Sequence, residues 1–415
     1  MKHRRVKLTL ADGPFRPVSA VAQMQVNVID TLTAFDRLER DWRALEVLDP
    51  EGTVFLSWAW LRQAFAANPD RWRVLGVKAS GNYVGFFPLK YRVHWSRANN
   101  ELHSEIEAGG RLIWSEYTGF LCDPAHEAQT IALIAHTLQG MPWSRLSLRY
   151  EASMRRARRF ADAFGTDLFD VQWPEYRINR GETDNLLCPQ VSLPQDFETY
   201  MQESLSRNTR QKLRRLMRNH LDTGEVEITN AGSDDFEDAL HHLLEFWVSK
   251  WVPSKGAATA QKVAANYAQI LRAAQSLGLL YMPILRRGET PLGVLGHILD
   301  PQMRRVHFIV AGRSEDADAP YVGHLLHTHS IRWAIENGYE IYDFCHGNEA
   351  YKYSFGATDN RVNYLTIRPR DTAAPDQSFD PICNAEALRR ALQYVEAGQN
   401  GRARTICARL ADLLG

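Results

Sequence analysis

The densest group of chemically capable side chains is Tyr342-Asp343-Phe344-Cys345-His346-Gly347-Asn348-Glu349-Ala350-Tyr351-Lys352-Tyr353-Ser354-Phe355-Gly356, a turn-rich segment after a strand-like run. Glu349 and Asp343 are the first candidates for a general base, followed by His346 and by His307 in the preceding strand-like run; each can take a proton from a nucleophile. Tyr351 and Lys352 could bind a substrate or protonate a leaving group. The place suits such work, because ligands of α/β sheets gather at strand ends. The same residues also suit a polar loop in which Asp343 and Lys352 pair to hold a turn.

Two further features could recognise an anion. Arg305–Ala311 reads as a strand that leads through Gly312–Pro320 into Tyr321-Val322-Gly323-His324-Leu325, the opening of a helix. Unpaired amides and the dipole at such a terminus favour negative charge, although an ordinary strand–helix connection has the same form. Ser206–His220 holds six Lys or Arg residues and no acidic one. Leu213, Leu216 and Met217 would form its apolar stripe. Arg207, Arg210 and Arg214 could meet an anionic substrate, or the run could simply be a solvated face. His324, His327 and His329 lack a zinc-binding spacing, so no metal is expected. No G-x-S-x-G, Walker or G-x-G-x-x-G pattern occurs, which counts against hydrolase, nucleotide-triphosphatase and dinucleotide-binding readings.

The elements that must position these groups follow from composition and periodicity. The 415 residues carry 49 basic and 49 acidic side chains. Residues 1–190 have 24 basic against 22 acidic, and residues 191–415 have 25 against 27, so bulk attraction to DNA is not expected. The 11 Trp, 15 Tyr and 17 Phe argue for a packed fold. No run approaches the roughly 18–20 apolar residues of a spanning helix. The five cysteines are scattered without C-x-x-C, so a reducing cytoplasm is the expectation.

Strands are expected at Met24–Ile29, Arg73–Val77, Tyr83–Tyr91, Arg111–Cys122 and Arg145–Arg149. Helices are expected at Thr33–Leu48, Phe55–Ala67, Ala125–Leu138 and Met154–Phe164. The second half repeats the order, with strands at Glu225–Asn230, Leu279–Leu285, Gly293–Leu299, Arg305–Ala311, Ile341–Phe344 and Val362–Ile367. Its helices are Ser233–Val252, Ala264–Leu277 and Val322–Glu336. The expectation is an α/β (α+β) chain of two similar domains, 24–190 and 191–370. A leader of 1–23 precedes them, and a linker with a C-terminal helix, 371–415, follows.

Several of these segments resemble a known family. They are Asp343-Phe344…Gly347-Asn348-Glu349-Ala350-Tyr351-Lys352…Phe355-Gly356 and the helix with Gly323-His324-Leu325-Leu326…Ile331-Arg332-Trp333-Ala334. With them go Ser206-Arg207-Asn208…Arg210…Leu213-Arg214-Arg215, Phe55…Trp58…Trp60-Leu61 and Phe87-Pro88-Leu89. Together they are similar to the GNAT-type acetyltransferase-like family associated with cellulose and exopolysaccharide biosynthesis (CelD/BcsL-type), itself related to FemAB-like aminoacyl transferases with tandem GNAT-like domains. The resemblance implies two tandem GNAT-like domains with mixed, mostly antiparallel sheets. It implies an acyl group, with acetyl as the first choice, taken from CoA and passed to a sugar, envelope precursor or small metabolite. Ile309, Val310 and Ala311 would then pair with the pantetheine arm, and Tyr321, Val322, Gly323, His324 and Leu325 would cradle the diphosphate. Arg207, Arg210, Arg214 and Tyr353 would hold the acceptor. An aminoacyl transferase using charged tRNA and a non-catalytic accessory protein of polysaccharide synthesis are the rival readings.

Overall fold

The computed structural model describes residues 24–315, 319–370 and 378–414. The expected leader and residues 371–377 of the expected linker lie outside the described residues. The chain forms two compact units, one from residues up to Glu175 together with Val362 onward, the other from Tyr176–Arg361.

The first unit starts with β1 (Met24–Ile29), α1 (Leu32–Asp36), α2 (Glu39–Leu48) and α3 (Trp58–Ala66). The one helix expected over Thr33–Leu48 is broken, because the Leu38 amide bonds the Phe35 carbonyl at 2.9 Å in a tight turn. That break lets Phe35 meet Trp42 edge-on at 5.2 Å. Ser57 caps α3 by accepting the Trp60 amide, so this helix starts later than the expected Phe55. β2 (Trp72–Ala79) and β3 (Asn82–Ser96), at the strands expected over Arg73–Val77 and Tyr83–Tyr91, form a hairpin, and β4 (Glu101–Ala108) follows.

The sequence reading missed β4 and placed a strand at Arg111–Cys122 instead. Here the chain makes a short 3-10 turn over Gly109–Ile113, and only β5 (Leu121–Cys122) is strand. β4 was hidden by its polar sequence, which works because its neighbours are basic: Glu105 pairs with Arg92 and Arg145, and Glu107 with Lys90 and Arg92. α4 (Glu127–Gln139), β6 (Arg145–Glu151), α5 (Met154–Asp162) and β7 (Phe169–Gln172) complete this passage.

The second unit opens with a small hairpin, β8 (Arg177–Ile178) and β9 (Thr183–Asp184), then β10 (Leu187–Ser192), α6 (Phe197–Thr199), α7 (Arg207–Leu216) and β11 (Glu227–Asn230). Two long helices, α8 (Phe236–Lys255) and α9 (Ala257–Ser276), lead to β12 (Leu280–Tyr281), β13 (Pro283–Arg287), β14 (Thr290–Asp300) and β15 (Arg305–Arg313). α10 (Val322–Glu336), β16 (Ile341–Asp343), α11 (Ala350–Tyr353) and β17 (Thr358–Arg361) end it. The chain then returns to the first unit as β18 (Asn363–Pro369), α12 (Asn384–Glu396) and α13 (Asn400–Leu414). The single C-terminal helix of the sequence reading is therefore two, broken at Gly398, whose φ of +70° is left-handed.

The two sheets share one plan. Their orders are β1-β2-β3-β4-β6-β18-β7 and β11-β13-β14-β15-β16-β10-β17. In each, the fourth and fifth strands are parallel and the remaining neighbours antiparallel. The sixth place is taken by a strand from outside the run: β18 pairs with β6 and β7, and β10 pairs with β16 and β17. A division at 190/191 and 370/371 therefore separates strands from their sheets. The run Val362–Ile367, read as the close of the second unit, completes the first sheet. A hydrophobic run shows that a strand forms, not which edge it will cover.

Aromatic stacking covers one face of the first sheet, with Trp42 on Phe86 at 4.2 Å and Phe65 on Trp72 at 4.1 Å. At the end of that layer lies a buried ion cluster. Arg156 donates to both Asp49 oxygens at 2.7 and 2.9 Å, to Glu127 at 2.9 Å and to the Phe120 carbonyl at 2.9 Å. Asp49 also accepts the Cys122 amide at 2.8 Å. One guanidinium thus ties α5 to α4, β5 and the end of α2. Among the described residues no helix is long and apolar enough to cross a membrane, and all five cysteines are free thiols. Arg156→Ala leaves the buried Asp49 carboxylate without its cation, while Glu127 keeps Arg155 and Arg159, so stability measured by chemical denaturation should fall by about 3–5 kcal/mol.

Candidate functional site

The second sheet opens into a fork. β15 and β16 pair only over Arg305–His307 and Ile341–Asp343. Beyond them β15 runs on to Arg313 against β14, while β16 ends and Cys345 turns with a φ of +51°. The ladder between the prongs stops at His307 and Asp343, so Ile309, Val310 and Ala311 lie on the β15 prong. Ile309 and Val310 are buried, and Ala311 is exposed.

Lys352 builds the other prong. Its ammonium donates to the carbonyls of His346 at 2.7 Å, Gly347 at 2.8 Å and Cys345 at 3.4 Å, and it sits 3.0 Å from Glu349. The lysine is 3% exposed, and its three donors are committed to holding this turn. Gly347 is required there: φ is +99°, and a Cβ would strike the Glu349 carboxylate at 2.6 Å. The structure thus realises the bland alternative for Lys352, although its carboxylate partner is Glu349 and not Asp343.

The candidate bases separate by depth. Asp343 and His307 are 0% and 1% exposed, and His307 Nδ1 lies 3.1 Å from Asp343. His346 Nδ1 is 3.2 Å from the buried Cys188 sulfur. Glu349 is partly exposed, and Tyr351 is open at 42%. Although the residue as a whole is exposed, its hydroxyl end is desolvated, which together with the Glu349 charge raises its pKa above the ordinary range. Tyr353 is also exposed and donates to Asp359 at 2.6 Å.

Across the sheet, Tyr342 joins β16 to β14 and α10. Its hydroxyl lies 2.8 Å from His297 Nε2 and 2.9 Å from His327 Nδ1. Burial pushes His297 down to about 3 and His327 well below its ordinary value. Both rings are neutral at physiological pH and act as hydrogen-bonding struts. His297 gave no sequence signal, since it occupies an apolar strand and its partner is 45 residues away.

The helix terminus keeps amides available. Among the described residues α10 has no side-chain cap, the Val322 amide bonds Ala319 and the Leu325 amide bonds Tyr321, and Gly323 and His324 occupy first-turn positions, whose N–H groups lack intrahelical partners. A Cβ at Gly323 would meet nothing within 4 Å. Lys212 of α7 brings its ammonium 2.9 Å from His324 Nε2, and burial together with Lys212 lowers the His324 pKa. Lys212 was missed as an individual, though its basic run was not. Tyr321 is an anchor: its ring stacks on His220 at 3.8 Å and its hydroxyl meets Arg287 at 2.7 Å and Glu225 at 3.1 Å. Of the arginines, Arg210 donates to the Gln202 carbonyl at 2.8 Å, Arg214 pairs with Glu198, and Arg207 is exposed. Val322 and Leu325 are core.

The comparisons bear on this half of the chain. Residues 207–353 match the family model of an acetyltransferase (GNAT) domain. That span runs from α7 to α11 and includes both prongs of the fork. In fold the chain is similar to FemX, with a TM-score of 0.56 at 10% identity over 79% of this chain and 95% of that one. It is also similar to a tandem GNAT protein from the clavulanic acid biosynthesis pathway, with a TM-score of 0.48 at 10% identity over 84% of this chain and 100% of that one. No curated relative matches in sequence. The matched span lies within the second unit, and the molecule has two mixed sheets of like strand order.

The first unit's corresponding fork is filled by its own chain. β4 and β6 also pair over three residues, Glu105–Glu107 with Arg145–Ser147. Beyond that point Thr118 joins β6 as a parallel bridge to Glu151: its amide bonds the Tyr150 carbonyl at 2.9 Å and its carbonyl accepts the Ala152 amide at 3.0 Å. The first turn of α4 carries Glu127, an anion already held by Arg155, Arg156 and Arg159. Glu151 is fully buried there, and desolvation pushes its pKa up to about 8. The unfolded carboxyl titrates near 4.3. The folded chain therefore retains the proton as pH rises between these values, and stability falls across that window. Glu151→Gln should remove the loss, and its stability relative to the parent should grow by about 3–4 kcal/mol between pH 5 and 8 in denaturant titrations.

Proposed function

We propose that the second unit is an acyltransferase that takes an acyl group, acetyl as first choice, from CoA to an amine or hydroxyl of a sugar, cell-envelope precursor or small metabolite. The observation that carries this reading is the conjunction, within one GNAT-like unit, of an open fork with an uncapped helix terminus beside Lys212. The amides of Gly323 and His324, with the Lys212 ammonium, fit a diphosphate by charge and by available donors. The Ile309–Ala311 stretch, which lies beyond the end of the ladder to β16, suits strand-like pairing with an amide-bearing arm. An acyl-CoA held there would supply an activated thioester carbonyl.

The chain's own part is proton handling and positioning. Glu349 is assigned as the base because it is the carboxylate at the mouth that solvent and an acceptor reach, whereas Asp343 and His307 are enclosed. Lys352 holds Glu349 and the three carbonyls at the end of β16 together, so it positions the base. Tyr351 and Tyr353 line the acceptor side, and Arg207, exposed on α7 as Lys212, Arg214 and Arg215 also are, is a cation that an anionic acceptor could meet. The filled fork and the buried Glu127 reserve donor binding for the second unit.

Glu349→Gln should lower kcat by about 10²–10⁴, the usual contribution of a positioned base, while donor affinity stays within a few-fold. A kcat within threefold of the parent removes Glu349 from the role. Thermal shift separates the readings: CoA at 100 times its dissociation constant should stabilise the chain by roughly 2.7 kcal/mol, with one CoA bound per chain by calorimetry. A response to aminoacyl-tRNA with none to CoA would transfer the assignment to aminoacyl transfer. Binding of CoA without turnover on any amine or hydroxyl acceptor would favour an accessory role.

A further inference from the structure

The floor of the fork holds a donor set that acyl transfer leaves unused. His307, Asp343 and Cys345 each offer one ligand atom, and these atoms all lie within 4.8 Å of one another. They are 1%, 0% and 3% exposed. Their placement is set by backbone geometry: His307 and Asp343 are register partners on β15 and β16, and Cys345 lies two residues further on, in the left-handed turn that Lys352 pins. The Asp343 carboxylate is already oriented, accepting the Cys345 amide at 2.8 Å and the Gln190 amide group at 3.3 Å. Outer hydrogen bonds of this kind fix the direction of a metal-binding carboxylate.

We propose that His307, Asp343 and Cys345 bind one zinc-class divalent cation. An imidazole, a carboxylate and a thiolate are the mixed nitrogen, oxygen and sulfur donors that such an ion accepts, and hard oxygen-seeking cations do not select a thiolate. With bonds of about 2.0–2.3 Å, tetrahedral ligand atoms stand roughly 3.3–3.8 Å apart. Side-chain rotations that draw the set together by about 1 Å would complete the site. Anions in an apolar interior are costly, and a divalent ion between the carboxylate and the thiolate offsets that cost. Three protein donors leave a tetrahedral ion one position for a non-protein ligand. Bound there, the ion would clamp β15 to the end of β16 where their ladder stops. Cys188 faces His346 instead and is not a member of the set. The assignment does not depend on the acyl-transfer reading.

The test uses the full chain, stripped with chelator and titrated with Co²⁺ and Zn²⁺ alone. One Co²⁺ per chain should bind with a thiolate-to-cobalt charge-transfer band in the near ultraviolet, displaced by one equivalent of Zn²⁺. Cys345→Ser should abolish the band, His307→Gln should weaken binding at least tenfold, and Cys407→Ser, at an exposed thiol elsewhere, should leave both unchanged. Persistence of the band in Cys345→Ser overturns the proposal, as does the absence of stoichiometric binding to the parent chain. Should the variants fail to fold, X-ray absorption of the zinc-loaded parent decides: a sulfur scatterer at about 2.3 Å supports the site, and a shell of nitrogen and oxygen alone sinks it.

Discussion

The second unit depends on a ladder that is only three residues long. Arg305–His307 and Ile341–Asp343 hold β15 and β16 parallel, and then the strands part. Continued pairing would spend the β15 backbone on its neighbour and leave no opening. Parting earlier would leave Asp343 without its place beside His307. The turn that follows is held by a buried ammonium on three carbonyls, which commits Lys352 to structure and brings Glu349 to the rim. Position, charge and access around the fork follow from where that ladder ends.

The first unit shows what happens when the same plan is closed. Its sheet has an equivalent strand order and an equally short parallel pair, yet Thr118 occupies the space beside β6 and Glu127 occupies the helix terminus. Charges that a ligand would need are consumed internally, with Arg156 meeting Asp49 and Glu127 in the interior. A fork closed by its own backbone gains hydrogen bonds and loses access. The two units can thus share an architecture and differ in the chemistry open to them.

Much of the fold was legible because local signals were strong. α10 spans Val322–Glu336 as its periodicity predicts, Ser57 starts α3, and the hairpin through Ser80-Gly81 forms where turn residues interrupt two strand runs. β4 was not legible, because ELHSEIEA looks like solvent-exposed chain until Lys90, Arg92 and Arg145 stand beside it. At the site, the Tyr342–Gly356 segment and the basic run were visible as residue types. His297, Lys212 and the engagement of Arg210 and Arg214 were not, since each depends on a partner far away in the chain.

What the sequence determined by itself was the inventory: two alternations of helix and strand, one segment crowded with proton-transferring side chains, and a glycine opening a helix. These follow from local periodicity and from side-chain chemistry, which need no neighbours. Tertiary structure decided the roles. It returned β18 to the first sheet, turned Lys352 into a strut and buried His307, Asp343 and Cys345 together. It also left Glu349 partly exposed and bridged one fork with Thr118, while among the described residues no strand pairs across the other. Solvent access, strand pairing and charge partnership are relations between distant segments, and a linear sequence fixes none of them until the chain has folded.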